Sequence, residues 1–525
     1  MKKLFLIGML LFSLGIKAQV ISTDTLGIKP DGSVLMGECV DFSAWIENMD
    51  VDSTGEFLIV RTRNLSKNEK SIKNKGAVSV ISVPEKKVLW NKPIKYLAQQ
   101  PTYFFQTLSI FSKGKSTFLD LETGNELWKE KFVPYIRCSQ ANLVLGYKVS
   151  SMSGFTKKLE GRDASTGKLM WEREVSNHYG WNDSFMLDDS LCMIVSDGLH
   201  IVNVNNGQGN SIQMKTGIDD YKVAAALGAL GILAGVLGGV AVLPYGPNVV
   251  VEMVSNVVQE DSLYYVANHE TLLCLDKDLK MKWGYPIPES AGYNSALFTL
   301  GDSLYMINMG SAYRDNLRGY SAAYADRNLK VKMGKPFVAG FNKKNGQNQY
   351  FDLLSEKKEI IEDMLIEKEN NRALILFEDR AYRYTFGNET IKKTYQWDTK
   401  ANGVLMGVMK RPFFVMNEDS TSFQKCGQSD STQFVFTDKE MFYEVDEHFN
   451  ILRTISMDDA GNLIVNWDNN PVVRYRSKTL LLDGTGHKMA TLDVLPEFLV
   501  SGDKVLMLSS DRKKIFIAAW FDVVL

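Results

Sequence analysis

Cysteine and histidine are scarce in this sequence. Its 525 residues include five of each, and no two cysteines have the C-x-x-C spacing of zinc and haem-attachment sites. The odd number of cysteines also excludes a framework in which every cysteine is paired within the chain. No histidine lies in an H-E-x-x-H motif. We therefore expect no metal site.

Motifs of other enzyme classes and an excess of charge are also missing. The sequence has neither the G-x-S-x-G motif of nucleophile-elbow hydrolases nor the G-x-x-x-x-G-K-[ST] motif of P-loop enzymes. Sixty basic residues face 62 acidic ones, which leaves a net charge of −2. A chain so balanced has no overall field that attracts nucleic acid or anionic lipid.

The N-terminus has the pattern of a secretory signal. Lys2 and Lys3 precede an apolar run, Leu4–Ile16, which is followed by the small residue Ala18. A basic start, a short apolar run and a small residue before the cut are typical of a signal peptide. We predict a cleaved signal over residues 1–18. A buried first strand is the alternative.

The mature chain, residues 19–525, is then expected in the periplasm or elsewhere in a bacterial cell envelope. The first cysteine, Cys39, lies far from the predicted cut, so a lipid anchor is not expected there. Cys138, Cys192 and Cys274 lie in apolar, strand-like runs, where buried and unreactive thiols are expected.

A repeat organises the chain. It reads LDLETGNELW over Leu119–Trp128 and RDASTGKLMW over Arg162–Trp171. Asp120, Asp163 and Asn203 occupy equivalent positions, 43 and 40 residues apart. Weaker copies include or end at Trp90, Asn203, Trp283, Tyr350, Val445 and Leu482.

A second pattern, Asp-Ser-Leu followed by apolar residues, marks the start of other strands at Asp189, Asp261 and Asp302. A period near 40 residues with several short strands per unit is typical of β-propeller blades. The Thr-Gly pairs suit tight turns, because glycine accepts a positive φ. The final strand, near residue 515, is expected to pair with the N-terminal chain.

The tryptophans of the repeat are predicted to be structural docking residues. Trp90, Trp128, Trp171 and Trp283 each fall on the strand after a repeat turn, where a large flat side chain can pack against the adjacent blade. A platform on which a ligand stacks is the alternative.

The D-x-x-T-G-x-x-x-W pattern at Trp128 and Trp171 resembles the tryptophan-docking repeat of quinoprotein dehydrogenases and their non-catalytic relatives, which include an outer-membrane assembly lipoprotein. The resemblance extends over most of residues 78–490 and implies an eight-bladed propeller. About eight or nine turn signals are present. We therefore predict an all-β chain that forms a single seven- or eight-bladed β-propeller over residues 19–525.

The resemblance also bears on chemistry. Family members that bind pyrroloquinoline quinone typically have two adjacent cysteines and a calcium site with a catalytic Asp. No two cysteines of this chain are adjacent, and no calcium set can be placed on it. We therefore predict the non-catalytic branch, with no catalytic, cofactor-binding or metal-binding residues. An enzyme that uses the propeller funnel on an oxidisable alcohol or a saccharide is the alternative.

An apolar segment interrupts the repeat. Residues 223–243 carry no charged or polar side chain, and Gly231, Gly235 and Gly239 recur every four residues. On a helix this spacing makes a smooth stripe for close packing. We predict a Gly/Ala-rich helical insertion within residues 217–258 that contacts a membrane or a partner. A buried plug is the alternative. A single span is disfavoured, because the repeats on both sides must share one compartment.

A second interruption, residues 310–335, is rich in tyrosine and arginine. Long loops in compact folds are often functional, and tyrosine with arginine can bind a sugar, a carboxylate or a peptide. A solvated loop is the alternative. The candidate ligand residues are Tyr313, Arg314, Arg318, Tyr320, Tyr324 and Arg327.

Together these features predict an exported, non-enzymatic binding or scaffold protein of the envelope. Its expected partner is an envelope protein or a membrane component, and not nucleic acid.

Overall fold

The chain is almost entirely β-structure where its placement is described. The computed structural model describes residues 21–104, 106–150, 154–220, 248–251, 253–288, 293–315, 329–417, 421–427, 429, 431–467 and 469–519. Within these ranges the helical elements are the short helix α1 (Thr399–Asn402) and two 3₁₀ turns (Lys368–Asn370 and Met457–Asp459). The predicted all-β class is confirmed. The predicted signal peptide, residues 1–18, lies outside the described residues.

The chain forms two compact units. The first comprises the described residues of Met1–Lys129, Arg411–Gly427 and Ile455–Leu525, and the second those of Glu130–Lys410 and Gln428–Thr454. Strands are numbered in chain order. Those of the first unit are β1 (Ile21–Ile28), β2 (Val34–Asp41), β3 (Trp45–Val51), β4 (Phe57–Leu65), β5 (Ile72–Ser82), β6 (Lys87–Lys95), β7 (Gln100–Phe104), β8 (Thr107–Ser112), β9 (Lys115–Leu119), β10 (Glu126–Glu130), β36 (Phe413–Met416), β37 (Phe423–Cys426), β41 (Ala460–Trp467), β42 (Asn470–Tyr475), β43 (Lys478–Leu482), β44 (Lys488–Leu492), β45 (Val494–Ser501), β46 (Lys504–Ser509) and β47 (Lys514–Ala519).

The remaining strands belong to the second unit. They are β11 (Phe132–Cys138), β12 (Leu143–Ser150), β13 (Gly154–Asp163), β14 (Leu169–Glu174), β15 (Asp183–Met186), β16 (Leu191–Val195), β17 (Gly198–Asn203), β18 (Ser211–Gln213), β19 (Ile218–Asp220), β20 (Asn248–Val251), β21 (Val258–Glu260), β22 (Leu263–Ala267), β23 (Thr271–Asp276), β24 (Met281–Pro286), β25 (Ser295–Leu300), β26 (Ser303–Asn308), β27 (Ser311–Asp315), β28 (Leu329–Lys332), β29 (Phe337–Asn342), β30 (Asn348–Leu353), β31 (Asp363–Glu367), β32 (Arg372–Leu376), β33 (Arg380–Thr385), β34 (Ile391–Gln396), β35 (Leu405–Val408), β38 (Thr432–Thr437), β39 (Met441–Asp446) and β40 (Ile451–Ser456).

Antiparallel sheets of four strands are the recurring element. In the second unit they are β11–β14, β15–β18, β21–β24, β25-β26-β29-β30, β31–β34 and β35-β38-β39-β40, and in the first unit β3–β6 and β7–β10. Sheets of four short antiparallel strands in succession are consistent with a propeller. The expectation of a single ring with seven or eight blades stays a prediction.

The first unit also contains an eleven-stranded sheet, which includes β41–β44 and the last three strands. Within it the N-terminal β2 pairs with the C-terminal β47, with Cys39 opposite Phe516. The predicted pairing of the last strand with the N-terminal chain is thus confirmed.

Successive sheets of the second unit pack face to face. One core cluster joins β16 and β17 to β22 and β23, and it includes Met193, Leu199, Val266 and Leu275. Apolar runs such as LYYVA in β22 are buried along nearly their whole length, because a central strand is covered on both faces. Each large apolar side chain buried in this way contributes about 1.5–3 kcal/mol.

Candidate functional site

The repeat turns are built around an Asp or Asn side chain. Asp120 Oδ1 accepts hydrogen bonds from the backbone N–H and the hydroxyl of Thr123, both at 2.7 Å. Asp163 binds Thr166 in the same way, and these bonds lower the pKa of Asp163. The Asp and Thr of the repeat therefore close a turn.

Three of the four predicted docking tryptophans contact the turn of a later repeat. The indole N–H of Trp90 donates to the Leu121 carbonyl at 2.7 Å, and that of Trp171 donates to the Val204 carbonyl at 2.7 Å. The indole of Trp283 donates to Lys343 in the same manner, at 2.8 Å.

The indole of each of these tryptophans lies against the glycine of the turn that it contacts. Gly207 has a φ of +73°, and an added Cβ would lie 2.5 Å from the Trp171 ring. Gly124 and Gly346 stand in the same relation to Trp90 and Trp283. Because only glycine leaves this space, turn and tryptophan depend on each other. The fourth residue, Trp128, is buried and stacks on Phe118 with ring centroids 3.6 Å apart.

The two interruptions of the repeat meet in one additional sheet. β19 and β20 flank the apolar insertion, β27 and β28 flank the Tyr/Arg-rich loop, and the four pair in the order β19-β20-β27-β28. One rung crosses the whole sheet from Ile218 through Val250 and Arg314 to Leu329. We call these four strands the accessory sheet. Neither interruption could form it alone.

Both interruptions leave the accessory sheet at the same end. β19 and β27 are each antiparallel to β20 and so run in the same direction. The pair Asp220–Asn248 lies where the first connection leaves the sheet, and the pair Arg314–Leu329 lies where the second leaves it. The connections 221–247 and 316–328 therefore both begin and end at this edge.

One face of the accessory sheet packs on its own apolar cluster. Val250, Met253 and Ala312 are fully buried, Tyr293 is 8% exposed, and Val331 packs against them. Tyr293 precedes β25, so the cluster attaches the accessory sheet to the segment that leads into the sheet of β25. The accessory sheet thus belongs to the second unit.

Further contacts attach the first strand of the accessory sheet. The ring of His178, in the segment before β15, lies 3.2 Å from a carboxylate oxygen of Asp219. The neighbouring Tyr179 ring lies against Gly217, where a Cβ would approach it to 2.6 Å. Asp197 fixes this segment by accepting the backbone N–H groups of His178 and Tyr179 at 2.8 Å.

Of the predicted ligand residues, the structure places Tyr313 and Arg314 in β27, opposite Lys330 and Leu329. Lys330 donates to the backbone carbonyl of Ile361 at 2.9 Å, and burial lowers its pKa. These positions are therefore part of a paired sheet and not of a loop. The other predicted contact residues lie outside the described residues: Arg318, Tyr320, Tyr324, Arg327, Gly231, Gly235 and Gly239.

The thiols predicted to be buried are buried. Cys138, Cys192 and Cys274 are free cysteines in strands, and so are Cys39 and Cys426. Burial raises the pKa of Cys192 to about 12, and that of Cys138 and Cys274 to about 11. Such thiols are poor nucleophiles at neutral pH.

In the part of the chain with described placement, no three His, Cys, Asp or Glu side chains are grouped so that they could hold a metal ion. Among the same residues, no helix has both the length and the apolar character that a membrane crossing requires.

No protein-family model and no curated protein matches the chain. Solved structures do match. BamB from Moraxella catarrhalis is 10% identical over 91% of this chain and 99% of its own, with a TM-score of 0.31. Hsv2 from Kluyveromyces lactis is 9% identical over 79% and 100%, with a TM-score of 0.27. A eukaryotic initiation factor is 11% identical over 90% and 96%, with a TM-score of 0.36. At TM-scores this low, the fold is assigned from the strand pairing of the chain itself.

Proposed function

We propose that this chain is an exported, non-enzymatic propeller protein of a bacterial cell envelope, which binds a protein partner or a membrane component. The observation that carries the proposal is the accessory sheet. The strands that flank the two sequence-distant interruptions of the repeat pair in this one sheet, and both interruptions leave it at the same end.

The two connections differ in composition. Residues 223–243 carry no charge, whereas residues 310–335 combine three tyrosines with arginines and lysines. An apolar connection and a basic, tyrosine-rich one that start from the same end of one sheet suit a partner with an apolar surface and an acidic or polar rim. They equally suit a lipid leaflet with anionic headgroups.

The regular sheets supply the scaffold in this proposal. The docking tryptophans hold repeat against repeat, and each is committed to a structural contact. The proposed binding surface therefore lies where the repeat is broken. Loops held on a rigid framework commonly carry binding functions.

Deletion of residues 221–244 from the exported chain tests the proposal. We expect loss of the protein from the envelope fraction and loss of crosslinked partners from a membrane pull-down, while the circular dichroism of the β-sheets is retained. Unchanged fractionation would contradict the proposal. An insoluble product would favour a buried structural plug instead.

A matched control changes another exposed connection. Replacing the β4–β5 turn residues 67–70 with a Gly-Ser linker alters an exposed turn distant in sequence from the accessory sheet. This variant is expected to fractionate as the native chain does. Reconstitution of the extracted protein into vesicles with and without anionic lipid then separates a lipid from a protein partner.

The proposal includes no bound cofactor. Incubation of the purified protein with pyrroloquinoline quinone and calcium is expected to add no quinone absorbance after gel filtration. Stoichiometric retention of the quinone would overturn the non-catalytic assignment.

A further inference from the structure

The turns that Trp171 and Trp283 contact each contain a chemically labile pair of residues. In both turns the docking glycine follows an asparagine, as Asn206-Gly207 and as Asn345-Gly346. An asparagine before glycine can convert itself to isoaspartate, because the backbone nitrogen of a residue without Cβ reaches the side-chain carbonyl carbon with little hindrance. The sequence therefore places a reactive pair in two of the docking turns.

The docked turn at Gly207 keeps the two reacting groups apart. The backbone N–H of Gly207 donates to the Asn203 carbonyl at 2.8 Å. The side-chain oxygen of Asn206 accepts the backbone N–H of Gln208 at 2.9 Å. The nitrogen that would attack and the side chain that it would attack are thus each held by another hydrogen bond.

The turn at Gly346 has the same bonds. Its backbone N–H donates to the Asn342 carbonyl at 2.9 Å, and the side-chain oxygen of Asn345 accepts the N–H of Gln347 at 3.0 Å. The φ of Gly346 is +71°, close to the +73° of Gly207. Both reactive pairs are therefore fixed in one backbone conformation.

The tryptophans hold the turns in this conformation. Asn206 and Asn345 are exposed to water, whereas the glycines that follow them are buried against the indoles of Trp171 and Trp283. Each indole N–H also donates to a backbone carbonyl of the same turn. When the indole moves away, the turn loses this bond and the glycine nitrogen is free to approach the asparagine side chain.

We propose that Asn206 and Asn345 are self-modification sites, which react when their tryptophans undock. The nitrogen of the following glycine attacks the side-chain carbonyl carbon of the asparagine and forms a succinimide ring. The bond from that carbon to the amide nitrogen breaks, and the amide leaves as ammonia with the proton of the glycine N–H. Water then adds to one of the two ring carbonyls and opens the ring, which yields aspartate or isoaspartate.

Isoaspartate makes the undocking permanent in this proposal. Its main chain passes through the side-chain methylene, so the path from Asn203 to Gly207 becomes one bond longer. An added Cβ on Gly207 would already lie 2.5 Å from the Trp171 ring, so the docked turn has no room for a displaced backbone. A modified turn is therefore expected to stay undocked and to record that the contact between the two sheets has opened.

Incubation of the purified chain at mildly alkaline pH tests the proposal, with isoaspartate located by methylation with an isoaspartyl methyltransferase and peptide mass spectrometry. The urea-unfolded chain is expected to react at both sites much faster than the native chain. Trp171→Phe is expected to raise the rate at Asn206 about tenfold, because the Val204 carbonyl loses its donor and the turn opens more often. The rate at Asn345 should not change. Trp283→Phe should have the reverse effect.

Two controls belong to this experiment. The third such pair in the sequence, Asn402-Gly403, receives the indole of Trp397 and should react at the same rate in both variants. Asn206→Thr introduces the residue type that precedes Gly124 in the repeat, which cannot form a succinimide. This variant should form no isoaspartate at the Gly207 turn.

Equal rates at Asn206 in the native chain and in Trp171→Phe would overturn the proposal. Acceleration of both sites by each variant would overturn it as well, because general destabilisation and not undocking would then control the reaction. So would an unfolded chain without isoaspartate.

If Trp171→Phe fails to fold, urea below the unfolding transition replaces the variant. The rate at Asn206 should then rise before the circular dichroism changes, and a rise only with global unfolding would contradict the proposal. Hydrogen exchange tests the permanence of the change. The Gly207 amide should exchange rapidly in chains that carry isoaspartate, and protection equal to that of the unmodified chain would show that the turn docks again.

Discussion

At the residue scale, one residue of each repeat turn has a left-handed backbone conformation, and two kinds of residue occupy that position. Where a tryptophan docks, the position is glycine, as at Gly207 and Gly346. In two eroded copies an apolar residue occupies it. Leu279 and Phe449 each have a φ of +62°, and both side chains are buried. Leu279 shares a core cluster with Ile212, on the fourth strand of the preceding sheet. The buried side chain thus fills space where other repeats have an indole.

Substitution of Gly207 measures the docking contact. Gly207→Ala is expected to lower the free energy of unfolding by about 3 kcal/mol or more, from about 1–2 kcal/mol of left-handed strain plus the clash with Trp171. Gly301→Ala is the control, because Gly301 also has a positive φ, +55°, and nothing lies within 4 Å of its added Cβ. Urea unfolding followed by circular dichroism gives both values, and equal losses would contradict the docking role.

Leu279 allows the opposite test. Leu279→Ala removes buried apolar volume and is expected to cost about 2–4 kcal/mol. Alanine is normally preferred to glycine, but glycine relieves the positive φ here, so Leu279→Gly should be at least as stable as Leu279→Ala. The urea midpoints of the two variants decide. A clearly less stable glycine variant would show that the left-handed backbone costs little at this turn.

The buried thiols predict a response to alkali. The pKa of Cys192 is raised from 9.0 to about 12 by burial, so the folded state holds its proton more tightly than the unfolded state. The stabilisation that follows is complete below pH 9 and is lost as the pH rises toward 12. At pH 8 the native chain should give no reaction with a thiol reagent, and five equivalents should react after unfolding in guanidinium. Reaction of any thiol in the native state would contradict its burial.

At the element scale, the sequence predicted the elements whose signal is local. The hydrogen bonds that close the turn at Asp120 involve only residues within five positions of it. Strands such as β22 can be recognised from an Asp-Ser-Leu start followed by an apolar run. The accessory sheet was not predicted. β19 has three residues, and its neighbours in the sheet lie as far away in the chain as β28, so pairing depends on tertiary packing. Nothing in the sequence links the two interruptions to each other.

The contact between Arg383 and Gln433, which belong to neighbouring sheets, was not predicted for a related reason. Arg372 and Arg383 are ordinary members of largely buried strands, and nothing local marks them. Their relation to Gln433 arises only when β38 packs beside β32 and β33. A contact between two sheets is a property of the assembled fold and is invisible in a single strand.

A charge introduced into the core of the accessory sheet tests whether this sheet unfolds independently of the regular sheets. Ala312 is fully buried in the cluster around Val250, so Ala312→Asp places an unpaired carboxylate there and should cost more than about 3 kcal/mol locally. We expect hydrogen exchange to accelerate in β19, β20, β27 and β28 but not in β31–β34. Lys332→Asp, at an exposed position of β28, is the control and should leave exchange unchanged. Exchange that accelerated equally throughout the second unit would show that the accessory sheet is not a separate cooperative element.

At the scale of the whole chain, the first unit is closed by strands from opposite ends of the sequence. β2 pairs with β47, and Lys514 forms an ion pair with Asp24 of β1. Contacts of such sequence separation form late, because loop closure must precede them. Until the C-terminal strand is present, β2 has an open edge, and Cys39 lacks its partner Phe516.

Truncation after Asp511 tests this closure, because it removes β47 and leaves every other strand of the first unit in the chain. The first unit is expected to lose its cooperative unfolding transition, and Cys39, now beside an unpaired edge, should react with a thiol reagent at pH 8. The thiols of Cys138, Cys192 and Cys274 should stay protected, since their sheets contain no strand from either end of the chain. Phe516→Ala is the milder variant. It keeps the strand pairing, should cost about 3–5 kcal/mol, and should leave Cys39 protected. A truncated chain in which Cys39 remained unreactive would show that the sheet closes without its last strand.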